Sequence, residues 1–152
     1  MHRVLGIPLV PLALGLAGLI PFLWGAATEI SPALSEAGLR ALGPRFVAPF
    51  VGIFYGAVIL SFMSGVIWGF ATRAEGREAT VLYVLSVVPA IYVFLFIGDG
   101  AEWAARALMF GFAGLLGIDW WAAERGLAPG WWLRLRVLLT VALLFCLLPV
   151  AL

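Results

Sequence analysis

The sequence predicts an all-α integral membrane protein: a bundle of five transmembrane helices with a short interfacial helix between the first and second spans. Three observations predict it. Hydrophobic residues are 64% of the 152 and charged residues only 11%, where a soluble domain carries about 25% charge. The apolar residues fall in runs long enough for the roughly 20-residue crossing of a bilayer. Those runs are apolar throughout, without the two-residue alternation of a membrane barrel.

The first span, residues 4–28, lies uncharged between Arg3 and Glu29. Its basic start and the "GAA" near its end resemble a secretory signal, but the apolar stretch exceeds the usual signal core. Pro8, Pro11 and Pro21 make this helix irregular, because proline removes a backbone donor. Residues 32–42 form the interfacial helix: Ser31 caps it, Pro32 takes the first position and Gly43 ends it. Within it Glu36 and Arg40 are an i,i+4 pair, while Leu34, Leu39 and Leu42 fall near one face that suits the membrane surface.

The second span, 46–72, is bounded by Arg45 and Arg73, and the third, 79–98, by Glu78 and Asp99. Pro89 predicts a kink in the third. The fourth is the weakest, because 107–118 alone is too short. It crosses only as about 102–122, running past Asp119 through Trp120 and Trp121. The fifth covers 131–152, and the whole chain reads as one transmembrane domain.

Charge sets the expected orientation. Arg3, Arg73, Arg77, Arg125, Arg134 and Arg136 fall on one side, and Arg40, Arg45 and Arg106 on the other. The positive-inside rule then predicts a cytoplasmic N-terminus and an external C-terminus. A net charge of +1 with no basic tract offers nucleic acid no footing.

Small residues interrupt the apolar runs although glycine costs a helix roughly 1 kcal/mol relative to alanine. In lipid they repay this by letting backbones approach. Gly52 and Gly56 form one GxxxG and Gly65 and Gly69 another, while Ala57, Ser61, Gly65 and Gly69 repeat every fourth residue. Ala107, Gly111 and Gly114 make a similar face on the fourth span, and Gly15 and Gly18 mark the first. The expectation is a central second helix with the first and fourth packed closely on it. The same faces could instead meet a partner helix or a second copy.

Together "GLAGLIPF", "YGAVILSFMSGVIWG" and "GIDWW…PGWWLRLRVLLT" resemble the transmembrane protein 69-like family over nearly the whole chain. Relatives often have a second glycine where this chain has Ser64. The resemblance implies a multi-span protein of a bacterial inner membrane or its mitochondrial counterpart, of unknown function, with no catalytic residues to carry over. The N-terminus shows no organelle presequence, which favours the bacterial membrane.

Chemistry has few carriers. His2 is the one histidine and Cys146 the one cysteine, so paired-histidine haem ligation, a Ser-His-Asp set and a cysteine metal cluster are excluded. No cofactor, metal or catalytic set is expected, and the chain is not read as an enzyme. Asp119 is the leading polar group, since a charge in or beside a span calls for a functional hypothesis. It pairs with Arg134 or Arg136, or serves beside Trp120 and Trp121 as a ligand-binding or proton-handling carboxylate, or stays exposed at the interface. Glu102 and Arg106 form a local i,i+4 pair, and Asp99 sits in a turn. Trp24, Trp103, Trp120, Trp121, Trp131 and Trp132 fall near helix ends, as aromatic belts do. Arg125, Arg134 and Arg136 with Trp131 and Trp132 suit lipid headgroups or a docking partner. Tyr55 and Tyr92 should seek polar partners in mid-membrane.

These features favour a non-enzymatic accessory, assembly or scaffold component of a membrane complex, a bioenergetic one on the family's distribution. Its expected partners are membrane lipids and a partner membrane protein or a second copy. The main alternative is a small carrier or sensor that binds a lipid or apolar molecule between kinked helices, with Asp119 as its polar handle. A lipid-headgroup enzyme using Asp119 and Glu124 is the weakest reading, for want of histidine.

Overall fold

The computed structural model describes residues 3–152, and His2 lies outside them. Among these residues five helical segments are long and apolar enough to cross a bilayer: Leu9–Ile30, Phe50–Ala71, Gly76–Phe96, Ala101–Glu124 and Trp132–Ala151. The chain is a multi-pass membrane protein.

The N-terminus differs from the expected helix. Strands β1 (Arg3–Val4) and β2 (Ile7–Pro8) pair antiparallel, Arg3 opposite Pro8 and Val4 opposite Ile7. Leu5 and Gly6 turn between them at φ +55° and +77°, the left-handed pair that a two-residue hairpin turn demands. Pro8 is extended and holds Ile7 out of the helical region. The first span therefore starts at Leu9 rather than at residue 4. Ile7 is buried with Leu12 and Leu135, anchoring the hairpin to the last span.

That first span is two helices, α1 (Leu9–Ala17) and α2 (Ile20–Ile30). Pro21 cannot donate to the carbonyl of Ala17, and the chain tightens instead, with Leu19 N–H donating to Leu16 O at 3.0 Å. Helix α3 (Pro32–Leu42) starts as expected, with Leu34 N–H donating to Ser31 Oγ at 3.4 Å, and ends at Gly43 with φ +87°. Glu36 pairs with Arg40, and Leu34, Leu39 and Leu42 are exposed. Two bonds close the corner: Trp24 Nε1 donates to Phe46 O at 2.6 Å, and Ala48 N–H to Thr28 Oγ1 at 2.9 Å.

Helices α4 (Phe50–Ala71), α5 (Gly76–Phe96), α6 (Ala101–Glu124) and α7 (Trp132–Ala151) complete the bundle. The core is built from Phe22 of α2, Leu60 and Ile67 of α4, Leu108, Phe112 and Leu115 of α6, and Leu147 of α7. Helix α4 touches α2, α5 and α6, as a central helix should, but its largest interface is with α5, not with the first or fourth span. Ser64 donates to the carbonyl of Ser86 across that interface, close to Pro89, which removes one donor from the helical ladder of α5.

The glycines divide sharply. A Cβ on Gly56 would come 2.9 Å from Leu108 Cδ1 and 3.4 Å from Phe22 Cε1. On Gly111 it would come 2.5 Å from Leu60 Cδ2 and 3.1 Å from Tyr92 Cε1. These two are the close approaches within the bundle. Gly52 makes only ordinary contact, with Leu147 at 3.5 Å, and nothing stands within 4 Å of Gly65, Gly69 or Gly114. The predicted groove along Ala57, Ser61, Gly65 and Gly69 is thus not the inner face of α4. Ala57 and Ser61 are half-buried, Gly65 and Gly69 are exposed, and Ser61 Oγ donates within its own helix to Ala57 O at 2.9 Å. Gly56, Leu60, Met63, Ser64, Ile67 and Phe70 are buried instead. The inner face takes its large side chains from the neighbouring helical row, and the bundle turns around them.

Candidate functional site

The polar centre of the molecule lies where α6 ends and α7 begins. Gly126, at φ +69°, reverses the chain after α6, and Trp132 N–H donates to Pro129 O at 2.8 Å as α7 starts. Trp132, Arg136 and Thr140 follow at four-residue spacing, so they share one face of α7. That face meets Asp119.

Asp119 is fully buried, and both of its oxygens are engaged. Oδ2 accepts from Arg136 Nε at 2.6 Å and Oδ1 from Trp132 Nε1 at 2.8 Å. Arg136 is only 4% exposed. The Trp132 ring also stands edge-on to Phe70, centroids 5.4 Å apart, which ties the end of α4 into the group. Charge is balanced within the pair, so a buried ion pair is tolerated where a single buried charge would not be. Two atoms here have no hydrogen-bond partner within the protein: Arg136 Nη2 and Thr140 Oγ1.

Both residues line a cavity of about 440 Å³ between the first, second and fifth spans, floored by Phe112 of α6. Its walls are otherwise almost wholly apolar, with Tyr55 the other polar side chain apart from Trp132. Leu14 and Phe62 line it and are exposed, so it opens sideways between the first and second spans. The break at Gly18 and Leu19 borders it, the association of kinked helices with a cavity that the prolines of the first span predict.

Of the predicted site residues, the structure joins Asp119 to Arg136 only. Arg134 is exposed and reaches the N-terminal hairpin, with Nη1 3.5 Å from Leu5 O. Trp120 is exposed, and Trp121 lies under the Arg125 guanidinium, 3.9 Å from its ring centroid. Arg125 in turn bridges to Glu78 at 2.6 Å, joining α6 to the start of α5. At the opposite end Arg106 pairs with Glu102 and donates from Nε to Ala151 O at 2.8 Å. Tyr92 finds its partner in the carbonyl of Ala107 at 2.9 Å.

Trp132 and Thr140 were not anticipated as members of the site, since a tryptophan near a helix end reads as belt and a threonine among leucines as filler. The available signal was the spacing of 132, 136 and 140 on one helical face. Among the described residues no three His, Cys, Asp or Glu side chains gather as a metal site would need.

A family model described as "Protein of unknown function (DUF3429)" matches residues 7–152. The chain belongs to the DUF3429 family. A relative of this DUF3429 chain is "Transmembrane protein 69" of Xenopus tropicalis, 34% identical over 144 residues. The match covers 92% of the DUF3429 chain and 53% of the relative, so the chain spans about half the length of that protein. The transmembrane protein 69-like resemblance read from the three motifs is borne out. No solved structure matches the chain.

Proposed function

We propose that this DUF3429 chain is a non-enzymatic accessory, assembly or scaffold component of a membrane complex, with a bioenergetic complex of a bacterial inner membrane as its host. The observation that carries this reading is the outward strip on α4. Ala57 and Ser61 are half-buried, and Gly65 and Gly69 have nothing within 4 Å of an added Cβ. Apolar burial gives helices little reason to associate in lipid, and a smooth strip that admits close backbone approach supplies one. A helix of a partner membrane protein is the occupant the reading calls for. The cytoplasmic N-terminus rests on Arg3, Arg73, Arg77, Arg125, Arg134 and Arg136 at one end of the bundle, against Arg40, Arg45 and Arg106 at the other.

The test is photocrosslinking from Phe62 and Trp68, exposed residues that flank the strip, in native membranes. It is paired with native mass spectrometry of wild type and of a Gly65→Leu/Gly69→Leu variant. The reading expects a stoichiometric adduct with a distinct protein and its loss in the variant, with thermal stability unchanged. An adduct with a second copy would make the strip a self-association face, and no adduct would sink the reading.

The cavity below Arg136 favours a second role for the same bundle, as a carrier or sensor that binds a lipid or apolar molecule.

A further inference from the structure

The structure assigns to that cavity a chemical class of ligand, and the assignment rests on the ligand-binding reading just given. We infer that it binds a neutral, elongated apolar molecule through a carbonyl oxygen, which accepts from Arg136 Nη2 and Thr140 Oγ1. The two groups belong to side chains only 4% and 2% exposed, have no hydrogen-bond partner within the protein, and line one cavity. A buried donor without an acceptor is among the costliest arrangements in a fold, and here two sit one helical turn apart on the same face.

The free functions decide the ligand. Arg136 Nη2 can only donate, and Thr140 can donate or accept. Asp119 offers nothing further in the same direction, because Trp132 and Arg136 engage its two oxygens. The ligand must therefore bring an acceptor, and a carbonyl oxygen has two lone pairs for two donors. Net charge argues against an anion. The guanidinium is already balanced by Asp119, so a second carboxylate would leave an uncompensated negative charge among apolar walls.

The shape agrees. Asp119 and Arg136 lie within about 8 Å of their helix ends, at 1.5 Å per residue. The cavity runs inward from there past Leu139, Gly18, Phe22, Tyr55 and Ile59. Polar end shallow and apolar length deep is the arrangement of an amphiphile in a bilayer. About 440 Å³ falls within the range of small-molecule sites, roughly 300–1,000 Å³. Such a carbonyl is carried both by the ester linkages of bilayer lipids and by diffusible esters, ketones and quinones.

The experiment uses the full chain in nanodiscs of ether-linked phospholipid, which contain no ester carbonyl. Three probes are titrated: methyl hexadecanoate with a ¹³C carbonyl, hexadecane, and hexadecanoate. The expected result is saturable binding of the ester, with its carbonyl stretch shifted to lower frequency, and at least about tenfold weaker binding of hexadecane. Thr140→Val should weaken the ester about fivefold, the effect of one neutral hydrogen bond, while leaving hexadecane unchanged. That variant removes no bond within the protein, so it tests the site without endangering the fold.

Equal affinity for hexadecane, or a carbonyl frequency unchanged from free lipid, would overturn the polar assignment while leaving an apolar ligand site standing. Tighter binding of hexadecanoate would overturn the choice of a neutral ligand. Absence of binding by all three would remove the ligand-binding reading itself. Repeating the ester titration in ester-linked discs separates the sources. A fall in apparent affinity of about tenfold or more means that bilayer lipid fills the site, and an unchanged affinity means a diffusible carbonyl compound; both support the assignment.

Discussion

Arg136 holds Asp119 by a single nitrogen: Nε donates to Oδ2 at 2.6 Å, and the carboxylate's other oxygen is taken by Trp132 rather than by the guanidinium fork. A bidentate pair would have spent both outer nitrogens on the carboxylate. This arrangement leaves Nη2 free at the cavity wall and makes one buried cluster both a brace between α6 and α7 and a polar end to an apolar space.

The brace predicts a specific pattern of stability. Asp119→Asn and Arg136→Gln should each destabilise the bundle by about 3–5 kcal/mol, because either leaves a buried charge unpaired. The double variant should lose much less than the sum, since the two residues share one interaction. Arg134→Gln should change stability by less than about 0.5 kcal/mol and add simply to Asp119→Asn. Unfolding in mild detergent with denaturant, monitored by tryptophan fluorescence, reads all four. A large, non-additive effect of Arg134→Gln would mean that the wrong arginine has been paired.

The glycines make a second contrast. Gly56→Leu and Gly111→Leu must displace Leu108, or Leu60 and Tyr92, from a packed interior, and overpacking of this kind costs about 1–3 kcal/mol. Gly65→Leu and Gly69→Leu meet open space and should gain slightly from helix propensity. A thermal shift series of the four purified variants separates the pairs. A Gly65→Leu protein that melts well below wild type would show that the strip is used inside the monomer after all.

That contrast marks what the sequence could carry. Five spans, the interfacial helix with its Ser31 and Gly43 ends, and the proline-broken first span were all legible, because hydrophobic length and backbone chemistry are local properties. The direction in which α4 faces was not. Gly65 and Gly69 lie in one helical row and Gly56, Leu60, Met63 and Ile67 in the adjoining ones. When every side of a helix is apolar, periodicity has no polar face to set the rotation. The site was half legible for the same reason. An aspartate beside a span announced a basic partner, but choosing Arg136 over Arg134 required the helix rotation, and Trp132 was masked by the commoner role of tryptophan at an interface.

Thr140 gives a prediction of opposite sign. Its hydroxyl is buried without a partner in the protein, so Thr140→Val exchanges a desolvated polar atom for a methyl group of nearly the same shape. In ether-lipid nanodiscs without added ligand, the variant should be more stable than wild type by about 1 kcal/mol. A destabilised variant would mean that the hydroxyl already has a bond worth keeping.

The third span is held on its two sides by one polar bond each. Tyr92 Oη donates to Ala107 O of α6 at 2.9 Å, and Ser64 of α4 donates to the carbonyl of Ser86, one turn before Pro89. Interhelical hydrogen bonds in membranes average about 0.6 kcal/mol and reach about 1.7. The Ser86 bond should lie toward the upper figure because it is fully buried and sits where proline weakens the helix's own ladder. Tyr92→Phe should therefore cost about 0.5 kcal/mol and Ser64→Ala about 1.5 kcal/mol. The two bonds lie on different interfaces with no shared atoms, so the double variant should approach the sum. Strong coupling between them would instead show that α5 moves as a unit hinged at Pro89, and hydrogen exchange confined to residues 90–97 in both single variants would locate that hinge.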